Sequence, residues 1–159
     1  MMNGFRFKRT AVAALLTMTM LSAPAAAGVI KATDTDSILN VAKGYGSATL
    51  KKDSSGDPLI VGRIDGTKYG ILFYGCENGK NCDDIQFAAS WSGVKVTLQD
   101  INRWNKSKRY GKAYLDDDGD PRLEMPVNLD YGVTDENFDD TFDWWTKVLK
   151  EFKESVLKI

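Results

Sequence analysis

The chain has 159 residues, with 21 basic and 22 acidic side chains, a formal net charge of −1 and no histidine. The missing histidine excludes Ser-His-Asp and Cys-His catalysis and histidine metal centres. Charges of both signs are interspersed, unlike the clustered basic surface of a nucleic-acid binder, and the length suits one domain rather than two.

The chain opens with a secretory layout. Arg6, Lys8 and Arg9 precede an apolar run from Ala11 to Leu21, and Ser22-Ala23-Pro24-Ala25-Ala26-Ala27 supplies the small residues of an A-x-A cleavage site. This predicts a signal peptide over 1–27, cleavage after Ala27 and one domain over 28–159. The run is shorter than the ~20 residues of a stable bilayer span, which argues against a retained anchor and against lasting membrane insertion. Neither a lipobox cysteine nor a twin arginine is present, so the expected route is export of an unfolded chain to the periplasm or beyond. The leader takes three basic residues with it and leaves a mildly acidic mature chain.

Gly28 to Thr33 reads as a loose arm. Asp34 or Asp36 can cap a helix whose apolar stripe is Ile38, Val41, Ala42 and Tyr45, ended by Gly44 and Gly46. A meander follows. Strands are expected at 48–51, 59–64, 68–76 and 84–91, separated by the turn chemistry of Asp53-Ser54-Ser55-Gly56-Asp57-Pro58, by Asp65-Gly66 and by the segment around the cysteines. Ile85, Phe87, Ala89 and Trp91 alternate with Gln86, Ala88 and Ser90, so one face of the sheet is covered and the other is wetter. Cys76 and Cys82 bracket a short loop between strands. In an oxidising compartment they are expected to pair as a structural disulfide.

Thr97 and Asp100 have the spacing of a capping box. Leu98, Ile101 and Trp104 follow at spacings of three and are expected on one helix face, and Asn102 and Asn105 share another. A fifth strand is expected over 110–115. Asp116-Asp117-Asp118-Gly119-Asp120-Pro121 reverses the chain and partly repeats the first turn, which reads as convergence on good turn residues. Leu123, Met125, Val127 and Leu129 alternate along a sixth strand. Pro126 has no N–H to give and places that strand at an edge or a bulge. The last helix is capped by Thr134. Acids crowd its start and lysines its end, as the macrodipole favours. Phe138, Phe142, Trp145, Leu149, Phe152 and Val156 form a stripe that must lie on the sheet.

Several of these segments carry a resemblance. Gly56-Asp57-Pro58 with Ile60-x-Gly62-Arg63, Phe73-Tyr74-Gly75-Cys76 with Ile85-Gln86-Phe87, Ile101-Asn102-x-Trp104-Asn105, and Arg109-Tyr110-Gly111-Lys112-Ala113-Tyr114-Leu115-Asp116 are similar to the YbjN family of bacterial sensory transduction regulators. The resemblance implies an α+β fold, an antiparallel β-sheet flanked by helices in the order α-β-β-β-β-α-β-β-α, like type III secretion chaperones. It implies no known reaction and no defined catalytic residues.

The candidate binding residues are Asn102, Trp104, Asn105, Arg109, Tyr110 and Asp116. Two readings stay open. In one, Trp104 fills core and an asparagine ties the helix end to the next strand. In the other, Asn102, Asn105 and Arg109 line a groove that grips a peptide backbone. Asp116 to Asp120 invite a calcium reading, but the alternation of an EF-hand loop breaks at Tyr114 and its twelfth-position glutamate has no match. Glu124 and Asp116 could form a carboxylate pair for glycoside hydrolysis only within an apolar cleft. The expectation is a non-enzymatic module without cofactor or metal, holding a protein or peptide on its open sheet face or along the Pro126 strand, with a homodimer suggested by fold analogy. A small inhibitor or envelope-stress factor probing a secreted enzyme with the disulfide loop is the alternative.

Overall fold

The computed structural model describes residues 28–159; the leader expected over 1–27 lies outside the described residues. Six strands form one sheet: β2 (Ser47–Lys52), β3 (Pro58–Ile64), β4 (Thr67–Tyr74), β5 (Asp84–Ser90), β6 (Lys112–Leu115) and β7 (Pro121–Asn128), in the spatial order β2-β3-β4-β5-β7-β6. Every neighbouring pair is antiparallel. Helices α1 (Thr35–Gly44), α2 (Leu98–Ser107) and α3 (Asp135–Phe152) complete the α+β build, and a π-helical turn over Lys153–Leu157 continues α3. No described helix is long and apolar enough to cross a membrane.

The start of the domain is tied down rather than loose. Val29–Ile30 forms a short strand, β1, against β8 (Val133–Thr134), and Ile30 and Ala32 are buried. The expected arm therefore takes part in the core. Its alternation of exposed Val29, buried Ile30, exposed Lys31 and buried Ala32 has the period of a strand.

The caps are those of the sequence. Asp34 accepts from the Ser37 N–H, Thr97 and Asp100 form the reciprocal box, and Thr134 accepts from the Asn137 N–H. The α3 stripe is buried from Phe138 to Phe152 and continues into Val156. It lies on the inward residues Ile60, Tyr69, Ile71, Phe87 and Leu123, and burying each large side chain contributes about 1.5–3 kcal/mol. Phe87 stacks on Trp145 at 5.4 Å and meets Phe142 edge-on at 5.0 Å. Tyr45 stacks on Phe142 at 4.7 Å, which brings α1 onto α3.

Three expectations are corrected. Leu98 is 68% exposed, while Ile101 and Trp104 are buried. Each step of three residues turns the helix by about 60° short of a full circle, so Leu98 and Trp104 lie about 120° apart and cannot share a narrow contact. The fifth strand begins at Lys112 rather than Tyr110, because Gly111 sits at φ +80° and turns the chain. Lastly, β7 is internal for half its length, between β5 and β6; β6 stops at Lys112, opposite Glu124. The Trp91 and Leu129 N–H groups, which bond Pro121 and Asp83 carbonyls, fix which residues of β7 face β5. By that alternation the nitrogen of Pro126 points away from β5, to the side β6 does not reach.

Candidate functional site

The two faces of the sheet are unlike. Helices α1 and α3 sit on the inward face, and α2 lies along the β6 edge. On the other face, the register aligns Thr49, Val61, Gly70, Ala88 and Glu124 in one row, and Lys51, Leu59, Leu72, Gln86 and Pro126 in the next. Leu59, Val61, Leu72 and Ala88 are half-buried and meet no covering element among the described residues. Gly70 and Ala88, side by side, make a shallow trough of about 270 Å³ between Leu59 and Val61 on one flank and Arg122 on the other. Lys68 lines it as well, and the register puts Arg63 and Lys51 on the same face. Sequence reading missed these four apolar residues. The signal was present: Leu59-Ile60-Val61 and Ile71-Leu72-Phe73 are apolar at both alternations, whereas a strand wetted on one face would carry polar residues at 59, 61 and 72.

At one end of this face the β6–β7 hairpin carries a polar cluster. Tyr114 donates its hydroxyl to Glu124 Oε1 at 2.6 Å, and Lys112 Nζ lies 3.0 Å from Glu124 Oε2. Arg122 Nε donates to Asp116 Oδ2 at 3.0 Å. The hydrogen bond to Glu124 is the chief reason the Tyr114 phenol is raised from its ordinary value. The Asp120 N–H bond, followed by Arg122, holds the Asp116 carboxyl below the usual carboxylate range. Asp116 and Glu124 thus each have a cation of their own.

Asp116 also shapes the turn. Its Oδ1 accepts from the N–H groups of Asp118 and Asp120. Asp53 does the same for Ser55 and Asp57 at the other hairpin. The repeated Asp-x-x-Gly-Asp-Pro run is therefore one turn built twice, with the first aspartate as its anchor. No group of three or more potential metal-ligating side chains converges among the described residues.

The other sequence-selected residues fall into two sets. Trp104 is buried and donates its indole N–H to the Gly111 carbonyl at 2.7 Å. Asn105 donates to the Ala113 carbonyl and accepts from the Ala113 N–H, both at 2.9 Å. Because Lys112 and Tyr114 face β7, the Ala113 groups point outward from the sheet, and the Asn105 amide stands where a further strand would. Asn102 and Arg109 are exposed. Tyr110 packs on Trp144 at 5.1 Å beside Pro126, both rings about 40% exposed. The cysteines are bonded as Cys76–Cys82, with Cα atoms 3.9 Å apart.

The fold and this surface define a helix-backed antiparallel-sheet module with one uncovered face. The chain belongs to the YbjN family, whose model, described as "Putative bacterial sensory transduction regulator", matches residues 34–158. No curated protein matches the chain. The family match puts it among regulatory or binding modules.

Proposed function

We propose that this chain is an exported, non-enzymatic regulator that holds a protein or peptide partner on the uncovered face of its sheet. One observation carries the reading: Leu59, Val61, Leu72 and Ala88 form a continuous apolar strip on a face no described element covers. Such strips, rimmed by charge, mark interaction surfaces. The Cys76–Cys82 bond suits an oxidising compartment, and the leader-like start of the sequence agrees with export. The family match supports a regulatory role in general terms.

The test is capture of partners from periplasmic extract by the oxidised mature protein and by its Val61→Glu and Ala88→Glu variants. Each variant is first shown to be folded by its near-ultraviolet circular dichroism. The expected result is a specific partner held by the native protein and lost by both variants. A partner retained by both would overturn the use of this face. Recovery of a secreted enzyme whose activity falls on binding would favour the inhibitor reading instead. Export is tested by fractionation and by the mass of the mature chain, which should begin at Gly28.

A further inference from the structure

The two edges of the sheet are treated differently. At the β6 edge, the Asn105 amide occupies both outward backbone groups of Ala113, and Pro126 blunts the exposed half of β7. These are the devices by which natural sheets stop further strands from adding. The β2 edge carries no such cover among the described residues. The Asp53 N–H to Asp57 carbonyl bond closes the β2–β3 ladder and sets its phase. Ser47, Thr49 and Lys51 therefore bond β3, and Ala48, Leu50 and Lys52 turn their N–H and C=O groups outward.

Beside this edge lies a groove of about 570 Å³. Its walls are the first residues of the domain, including Thr33, and the disulfide loop, including Lys80 and Asn81. Leu50, 37% exposed, supplies an apolar subsite. Lys51, Lys52 and Lys80 line the groove, and none of the three forms an ion pair among the described residues. The loop wall is fixed from two sides. The disulfide closes it, and Gly79 lies so near the β2–β3 turn that a Cβ there would sit 2.7 Å from the Gly56 carbonyl oxygen.

We infer that the β2 edge is a second docking site, which takes an extended acidic peptide segment as a seventh strand. Charge complementarity selects the occupant. Three unpaired lysines beside free backbone donors and acceptors favour carboxylates on an added strand, and edge lysines disfavour a second copy of β2. The register also sets the pattern. Leu50 and Lys52 share one face and Lys51 lies on the other. The occupant should place an apolar side chain opposite Leu50 and two successive acids opposite Lys51 and Lys52. This site shares Lys51 with the uncovered sheet face, but its strand-pairing groups, Leu50 and Lys52 belong to the β2 edge alone.

The experiment is fluorescence anisotropy with the oxidised mature protein and three short fluorescein-labelled peptides. One repeats Ile-Asp-Glu, the second has the same sequence with alternate backbone nitrogens methylated, and the third replaces the acids by lysine. Binding of the first only, weakened by salt and roughly tenfold weaker to the Lys51→Glu/Lys52→Glu variant, is expected. Reduction of the disulfide should weaken it by loosening the groove wall. Equal binding of the methylated peptide would show charge attraction without strand pairing and overturn the inference. So would an unchanged affinity in the double lysine variant, or no binding of any peptide. Self-association of the native chain that is lost in that variant, without peptide binding, would assign the edge to a second copy instead.

Discussion

Asn105 on α2 and Ala113 on β6 are joined by two hydrogen bonds of 2.9 Å, one in each direction, so a side-chain amide stands in for a neighbouring strand. Beside them the Trp104 indole N–H holds the Gly111 carbonyl at 2.7 Å. These contacts fasten α2 to the edge of the sheet and end the sheet there.

Asn105→Ala should therefore cost stability and expose an edge. The two bonds together are worth roughly 1–3 kcal/mol net, read as a lower urea midpoint with unchanged slope. The freed Ala113 groups should also promote self-association, visible as a concentration-dependent mass in sedimentation. Unchanged stability with lost partner capture would instead place Asn105 in a binding site.

Gly62 is needed for the ring above it. A Cβ at this position would lie 2.5 Å from the Tyr69 hydroxyl end, and Tyr69 is buried against Phe142 and Trp145. Gly62→Ala should destabilise the protein by about 1–3 kcal/mol through overpacking. The double variant Gly62→Ala/Tyr69→Phe should recover little of that loss, because the ring carbons Cζ and Cε1 would still stand 2.5 and 2.6 Å from the added Cβ. Thermal or urea melts of the set measure the coupling.

Alkaline pH should unfold the protein in a specific window. Burial pushes the Tyr69 phenol up to about 12, and burial followed by the bond to Asp139 does the same for Tyr45. Both hold their protons more tightly when folded. Their contribution is complete below pH 10.0, the ordinary value, and is lost as pH rises through about 12. The Tyr69 hydroxyl is buried without a hydrogen-bond partner among the described residues. Tyr69→Phe should accordingly be at least as stable at neutral pH and should flatten the alkaline decline. Tyr45→Phe should lose about 1 kcal/mol at neutral pH, because its hydroxyl donates to Asp139.

Reduction should destabilise without abolishing the fold. The Cys76–Cys82 loop is short, so the chain-entropy contribution is roughly 2 kcal/mol, and the main core lies elsewhere. The Cys76→Ser/Cys82→Ser variant should remain folded with a lower melting temperature, and the native protein should show no free thiol on titration.

Calcium should leave the melting curve unchanged. Asp116, the anchor of the acidic turn, already accepts from the Asp118 and Asp120 N–H groups and from Arg122. Identical melts with and without millimolar calcium are expected, and a rise in melting temperature would reopen the turn as a cation site.

Helix ends, the α3 stripe and the order of the three helices and six main-sheet strands were legible in the residues, while the short β1–β8 pair was not. Each rests on interactions within a few positions of the chain: Asp34 with Ser37, Thr97 with Asp100, and aromatics at spacings of three and four from Phe138 to Phe152. Trp104 as core and an asparagine tying the helix end to the next strand were also among the open readings, and the structure picks Asn105 and its partner, Ala113. The contact of Tyr110 with Trp144 was not foreseen, since the two are distant in the chain.

By itself the sequence determined a single α+β chain with a histidine-free chemistry, an aromatic closing helix and a cysteine pair, because composition and local periodicity suffice for these. Only the tertiary structure decided which face and which edge stay uncovered. Strand order and register place β7 inside the sheet and β2 at its rim, and they set Val61 beside Gly70 and Ala88. Those neighbours are distant in the chain and meet only when the whole sheet has formed.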